Sequence, residues 1–299
     1  MLYAVGLNND KTLQRFAYQA RELGESVTLI NLHDVCCEPW CIMIPSSYKE
    51  SRVYNDSQEL VLTPESSYFV RLVDLSPVLP EPQGSIWRHM LIAFSGFLET
   101  APGKVVNRPG AHIHNGAKPY HEWWLARRGF SVPPAITTSD KKAIHSFLRR
   151  HKKGIVKALC GMRGTAQIVT LEDFEEFHRE QGPVHIQRFV PGDDVRVHVV
   201  CEAIHAERIV CESVDYRERG AITEHIPTII PKALEKMLVR TSAEMKLVFT
   251  GWDFKVDANG RYWCLEVNPM PGYDVYDKRA KGSISKSLVN YLRNESFNG

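Results

Sequence analysis

The sequence predicts a mixed α/β fold, α+β in its later parts, with a doubly wound α/β unit at the amino end and two further units behind it. The first 31 residues alternate strand, helix and strand, short strands and helices interleave through the middle, and from Pro183 long strands take over and end in a hairpin. At 299 residues and 43% hydrophobic content, the chain can bury the core that such a fold needs.

Leu2 to Gly6 reads as a strand, Lys11 to Leu23 as a helix stopped by Gly24, and Ser26 to Asn31 as a second strand. The turn Gly6-Leu7-Asn8-Asn9-Asp10 lacks the three spaced glycines of a dinucleotide site, so no such cofactor is expected there. Short strand-like runs follow between Glu38 and Pro82, the best of them Ser67 to Val73. Ser85 to Glu99 reads as a helix, and Lys104 to Val106 as a strand that closes a first unit over residues 1–111.

In the second unit, expected over 112–184, Asn115 caps a helix that carries Lys118 in its first turn and ends at Arg128-Gly129. Pro133-Pro134 leads to a short strand, Asp140 to His151 forms a helix, and the strand Gly154 to Lys157 enters the loop Cys160-Gly161-Met162-Arg163-Gly164. A further strand and a helix from Leu171 to Phe177 complete it. The third unit, 185–299, holds strands at His185 to Val190, Val195 to Cys201 and Arg208 to Val214, then a helix through Leu234 to Met245. Its hairpin pairs Phe249 to Val256 with Arg261 to Val267, turned by Asp257-Ala258-Asn259-Gly260, where the Asn-Gly pair favours a tight turn. No internal repeat or low-complexity segment interrupts the chain.

Charge narrows the function classes. Lys plus Arg total 37 against 35 for Asp plus Glu, so no global field draws the chain to nucleic acid or an anionic membrane, and neither partner is expected. Met1 to Gly6 has no charged region ahead of it and does not fit a secretory signal, and no later stretch stays apolar for the roughly 20 residues that span a bilayer. A cytoplasmic location follows as the expectation. Seven cysteines is an odd number for a disulfide framework, so reduced thiols are expected. Cys36, Cys37 and Cys41 read as packed or surface thiols, because zinc would want a second paired-Cys segment that the chain lacks. Gly-x-Ser-x-Gly, Walker and His-Glu-x-x-His patterns are absent, and His112 and His114 share a strand face without a third ligand.

The hairpin carries the chemistry. Asp253 and Glu266 stand on its two strands thirteen positions apart, so pairing can bring them to the same end and face. Asn268 lies two residues beyond Glu266 and, by the two-residue period of a strand, points the same way. Two carboxylates and an amide oxygen beside a Pro-Gly loop make a hard-oxygen site suited to magnesium carrying a polyphosphate. Asp257, near the turn, reads as an ordinary surface acid. Glu266 does not, since it interrupts the apolar run Tyr262-Trp263-Cys264-Leu265 and Val267, where an unpaired charge is costly.

From about Asn107 onward these residues resemble the ATP-grasp superfamily and, within it, the RimK-like ligases. The ending Glu266-Val267-Asn268-Pro269 with Pro271-Gly272 looks like that family's metal signature, with Asp253 as its upstream carboxylate. By the same resemblance Lys118 and Lys157 are the two phosphate-contacting lysines, and the loop with Gly161 and Gly164 covers the phosphates. This loop departs from the commoner Ser/Gly-rich form and places Arg163 on a phosphate or on substrate. Gln187-Arg188-Phe189-Val190 resembles the adenine-reading linker between two ATP-clasping subdomains. Pro191-Gly192-Asp193-Asp194-Val195-Arg196 matches the element that opens the next strand, and Asp215-Tyr216-Arg217 a later acidic-aromatic-arginine element. Arg196 and Arg217 are then the candidates for holding the transferred phosphoryl group and the substrate carboxylate, or they pair with Asp194 and Asp215 at the surface.

The resemblance implies ATP with one or two Mg2+ ions, or Mn2+ in their place. It implies small-molecule or peptide carboxylate and amine substrates, and an amide-forming reaction through an acyl phosphate that releases ADP and phosphate; it is compatible with a homodimer. Two other readings stay open: a modifier that cross-links side chains of a ribosomally made precursor peptide, and an ATP-binding regulatory module without turnover.

Overall fold

A computed structural model describes residues 1–43, 51–56, 58–63, 65–111, 117–157, 167–211 and 223–293. The first unit runs β1 (Leu2–Gly6), α1 (Lys11–Glu22), β2 (Val27–Asn31), α2 (Leu32–Cys37), β3 (Arg52–Asn55), β4 (Gln58–Val61), β5 (Ser67–Val70), α3 (Gln83–Thr100) and β6 (Val105–Val106). Strands β2, β1, β5 and β6 form a parallel sheet in that order, and β3 pairs with β4 as a separate ribbon. Asp10 starts α1 by accepting from the Thr12 and Leu13 amides at 2.8 and 3.3 Å. The sheet is buried on both faces, as parallel sheets are. Leu2, Ala4 and Phe69 face one core and Tyr3, Val5 and Tyr68 the other, which α3 covers with Trp87, Met90, Phe94 and Phe97.

The middle comprises α4 (Lys118–Arg127), β7 (Ala135–Thr138), α5 (Lys141–His151), β8 (Gly154–Lys157), β9 (Gln167–Val169) and β10 (Val184–Arg188). Its antiparallel sheet has the order β7-β10-β8-β9, with Ile144 and Leu148 of α5 packed on Ile186 and Val169. The helix expected over Leu171 to Phe177 is a single 3-10 turn at Glu172–Phe174, which Asp173 ties down by accepting from the Thr170 amide at 2.7 Å. That side-chain bond competes with helix extension.

The last part holds β11 (Asp193–Val200), β12 (Ala203–Cys211), β13 (Thr223–Pro227), α6 (Lys232–Glu244), β14 (Phe249–Val256), β15 (Tyr262–Asn268), α7 (Asp274–Arg279) and α8 (Ser283–Arg293). The strands form an antiparallel sheet ordered β13-β12-β11-β14-β15. Val195, Val197, Val199, Trp252, Phe254 and Val267 pack behind it against Trp124 and Leu125 of α4 and Leu234 and Leu238 of α6. Helix α8 returns to the first unit, where Ile284, Leu288, Val289 and Leu292 join Leu13, Phe16 and Ala20 of α1 on the open face of the parallel sheet. One face of the amino-terminal sheet is thereby covered by the last described helix. Among the described residues, no helix is long and apolar enough to cross a membrane.

Candidate active site

Register gathers one set of charged side chains on the front of the five-stranded sheet, because neighbours along a strand alternate faces while cross-strand partners share one. One row runs Glu207, Arg196, Asp253, Glu266 across β12, β11, β14 and β15. The next runs His205, His198, Gly251, Asn268, and on the other side lies Ile209, Asp194, Lys255, Trp263. A bulge between Asp253 and Phe254 shifts the register, so that Phe254 pairs with Cys264 rather than Leu265. The bulge puts Cys264 into the apolar core, where burial holds its thiol well above the ordinary cysteine value, and leaves Glu266 on the front.

The row is neutralised group by group. Arg196 Nη1 donates to Asp253 Oδ2 at 2.7 Å, with both side chains under one-tenth exposed, and its Nε donates to His198 Nε2 at 3.3 Å. Burial, reinforced by Arg196, drives the His198 imidazole well below its usual value, so it is neutral and has a lone pair to offer. Gly251 makes room for this pair, since a methyl group there would collide with the Arg196 guanidinium and with Pro271. Lys118 Nζ lies 3.3 Å from Glu266 Oε2. Lys255 occupies Asp194 at 2.9 Å, and Asn268 Oδ1 accepts from the Met270 amide at 2.8 Å, which turns the chain into the Pro-Gly loop.

The middle sheet faces this front with Thr137, His185 and Lys157 in one row and Ala135, Gln187 and Ile155 in the next. Lys157 Nζ donates to Gln187 Oε1 at 2.7 Å. Burial lowers the Lys157 ammonium from the usual lysine value, while the charges of Glu122 and Glu266 oppose the fall. Helix α4 spans the two sheets: Lys118 reaches Glu266, His121 Nε2 accepts from the Val267 amide at 3.1 Å, and Glu122 Oε1 accepts from Gln187 Nε2 at 2.8 Å. Arg188, at the end of β10, lies over the Trp263 ring at 4.3 Å and links the sheets a second time.

The first unit fixes the loop below. Asn107 Nδ2 donates to the Phe249 and Pro269 carbonyls at 2.6 Å each, and its Oδ1 accepts from the Val248 and Phe249 amides at 2.9 and 3.0 Å. Arg71 donates to the Pro271 carbonyl at 3.1 Å and pairs with Asp10 at 2.5 Å. Beside Arg196 opens a cavity of about 250 Å³ lined by His198, His205, Glu207 and Tyr276. Among the described residues no three His, Cys, Asp or Glu side chains converge on one point. The donor set at the hairpin is instead two adjacent carboxylates and an amide oxygen, chemistry that fits a hard divalent cation.

Residues 124–292 match the profile of the RimK-like ATP-grasp domain. The chain belongs to the RimK-like ATP-grasp family. Solved ATP-grasp structures share the fold over nearly the whole length. The ATP-grasp ligase PsnB, complexed with a phosphomimetic variant of a minimal precursor, Mg and ADP, aligns with a TM-score of 0.80 at 24% identity over 97% of each chain. The macrocyclase MdnC of Microcystis aeruginosa MRC, bound with precursor peptide MdnA, gives 0.83 at 17% identity over 98% of this chain and 100% of that one. A RiPP-associated ATP-grasp ligase of Chryseobacterium gregarium, in complex with ADP and a leader and core peptide, gives 0.78 at 16% identity over 99% and 97%.

Against this ATP-grasp frame, the structure brings Lys118, Lys157, Gln187, Arg196, Asp253, Glu266 and Asn268 to one cleft. Phe189 and Val190 follow β10, with the Phe189 amide donating to the Lys153 carbonyl at 3.1 Å and Val190 buried. Asp194 stands on the front next to Arg196 but pairs with Lys255, and Arg196 pairs with Asp253 rather than with Asp194. Gly161, Arg163 and Gly164, Asp215 and Arg217, the Asn115 cap, and His112 and His114 all lie outside the described residues.

Sequence reasoning missed Glu122, His185, His198, Asn107 and Arg71. For Glu122 no local signal existed: it shares the buried face of α4 with His121, Trp124 and Leu125, and its partners Gln187 and His185 lie on β10, far along the chain. Asp257 is more than a surface acid. It accepts from the Asn259 and Arg261 amides and from Trp263 Nε1 at 2.8 Å, bonds that hold its carboxyl below the usual range and build the hairpin turn.

Proposed function

We propose that this chain is an ATP-dependent ligase that activates a side-chain carboxylate of a ribosomally made precursor peptide as an acyl phosphate and joins it to an amine. The observation that carries the reading is the direct cross-strand pairing of Asp253 with Glu266, each met by a cation, opposite the Lys157–Gln187 pair. The peptide substrate is supported by full-length likeness to three enzymes solved with precursor, leader or core peptides. The presence of Asp253, Glu266 and Asn268 together on one face weighs against a regulatory module.

In this reading Asp253, Glu266 and Asn268 would hold magnesium, which supplies charge neutralisation for the polyphosphate when bound. Lys118 and Lys157 bind phosphate oxygens as compact cations. The substrate carboxylate oxygen attacks the γ-phosphorus, the bond to the bridging oxygen breaks, and ADP leaves with the electron pair. Arg196 faces the transferred phosphoryl group, oriented by Asp253 and His198. The amine nitrogen then attacks the acyl carbon, phosphate departs, and the nitrogen loses a proton as the amide forms. Such chemistry rests on alignment and charge neutralisation more than on covalent help. Arg163 and Arg217 are proposed as further phosphate or carboxylate contacts, and the cavity beside Arg196 as the entry for the second substrate.

The test is ADP release by the purified protein with Mg2+, ATP and a precursor peptide encoded beside its gene, followed by mass analysis of the peptide. ADP formed only with peptide, and a product lighter by one water, supports the reading. Tight ATP binding without turnover on any carboxylate and amine would point to the regulatory module instead.

A further inference from the structure

Among the described residues, the hydrogen-bond partner of Lys157 is the side-chain oxygen of an amide, not a carboxylate. Its Nζ donates to Gln187 Oε1 at 2.7 Å. An amide side chain can present either its oxygen or its nitrogen, and only the oxygen suits an ammonium. The choice is made by Glu122, whose Oε1 accepts from Gln187 Nε2 at 2.8 Å and leaves the amide oxygen pointing at Lys157. Glu122 is itself held by His185 Nε2 at 3.1 Å, and the other ring nitrogen of His185 meets Thr137 Oγ1 at 2.9 Å. Glu122, His185 and Gln187 are all under one-tenth exposed. A buried carboxylate is costly unless it is hydrogen-bonded or paired, and the bonds from His185 and Gln187 both fall on Glu122 Oε1.

We infer that Glu122 is a positioning residue for the nucleotide: through Gln187 it fixes the place and the positive charge of Lys157, without touching the nucleotide itself. The inference rests on the proposal above that Lys157 contacts phosphate. Three structural features support it. The relay is continuous from Thr137 to Lys157, each link within hydrogen-bond distance. Glu122 sits one turn after Lys118 on α4, so a single helix sets both phosphate lysines, Lys118 directly and Lys157 through Gln187. Burial works against the Lys157 ammonium, and Glu122 is the foremost charge opposing that.

The experiment is a double-mutant cycle on the full-length protein, read as the dissociation constant of ATP with Mg2+ and as kcat at saturating ATP. Glu122→Gln should weaken ATP binding roughly tenfold, the scale of one charge-assisted hydrogen bond. In a Lys157→Ala background the same change should add nothing, because the two residues act as one unit. Gln187→Met, which keeps Glu122 but cuts the link, should match Glu122→Gln and serves if that variant folds poorly. Equal losses from Glu122→Gln in the presence and absence of Lys157, or no loss from either Glu122→Gln or Gln187→Met while Lys157→Ala is weakened, would overturn the positioning role. Unchanged ATP binding in Lys157→Ala would overturn the phosphate assignment of Lys157 itself, a separate failure.

Discussion

Lys118 Nζ and Glu266 Oε2 stand 3.3 Å apart although 148 residues separate them in the chain. One is a first-turn residue of α4 and the other a front residue of β15, so the contact closes the cleft between helix and hairpin. Both side chains keep some exposure, 17% and 28%, and an ion pair in that setting contributes at most about 1 kcal/mol to stability. Glu266→Gln should therefore unfold within about 1 kcal/mol of wild type. Turnover should fall more than roughly a hundredfold, since even residues one step removed from a metal cost 10- to 100-fold. Denaturant unfolding and ADP release, measured on the same preparation, check both halves.

Arg196 and Asp253 behave in the opposite sense. Their 2.7 Å pair is buried, with side-chain exposures of 6% and 9%. Removing one partner takes away the other's closest counter-ion in a buried site, and Arg196→Ala should lower unfolding stability by about 3–5 kcal/mol as well as abolish turnover. Urea titration with a fixed m-value measures it.

The Asn107 side chain saturates four backbone groups of the Val248–Phe249 and Pro269 segments. Asn107→Ala leaves these buried groups unpaired and should cost about 2–4 kcal/mol. Asn107→Asp, which sets an oxygen against two carbonyls, should be no better. Thermal melts of the two variants decide this.

His198 and His205 are held below the ordinary imidazole value of 6.5, both chiefly by burial. The unfolded chain therefore takes up protons first as pH falls, and stability drops from pH about 6.5 downward until the folded values are reached. Above that pH both states are neutral at these sites and the slope vanishes. His198→Gln, which keeps an acceptor for Arg196, should flatten the decline between pH 7 and 5 in unfolding experiments, by roughly its single-proton share.

Local patterns made much of this site legible. The strand Gly154 to Lys157 and the β14 segment Phe249 to Val256 are found where their apolar pattern and bounding turns put them, and Asp253, Glu266 and Asn268 share a face as the two-residue period requires. The bulge after Asp253 was not legible, because it depends on how β15 meets β14; without it Cys264 would have faced the cleft beside Glu266. Glu122 with Gln187, and Asn107 with Pro269, are partners 65 and 162 residues apart, and no local period encodes such pairs. Helix α8, which sequence reasoning did not assign, carries an apolar stripe, and nothing in its own residues says that Leu288 and Leu292 pack on α1, near the start of the chain.

In the proposed reaction the front of the β14–β15 hairpin would grip a divalent cation carrying ATP. The decisive experiment is calorimetric titration of ATP into the wild-type protein and Glu266→Gln, each with Mg2+ and with a chelator. ATP binding should need Mg2+ in the wild type and, with Mg2+ present, should be roughly tenfold or more weaker in Glu266→Gln. Equal ATP affinity in all four titrations would contradict it.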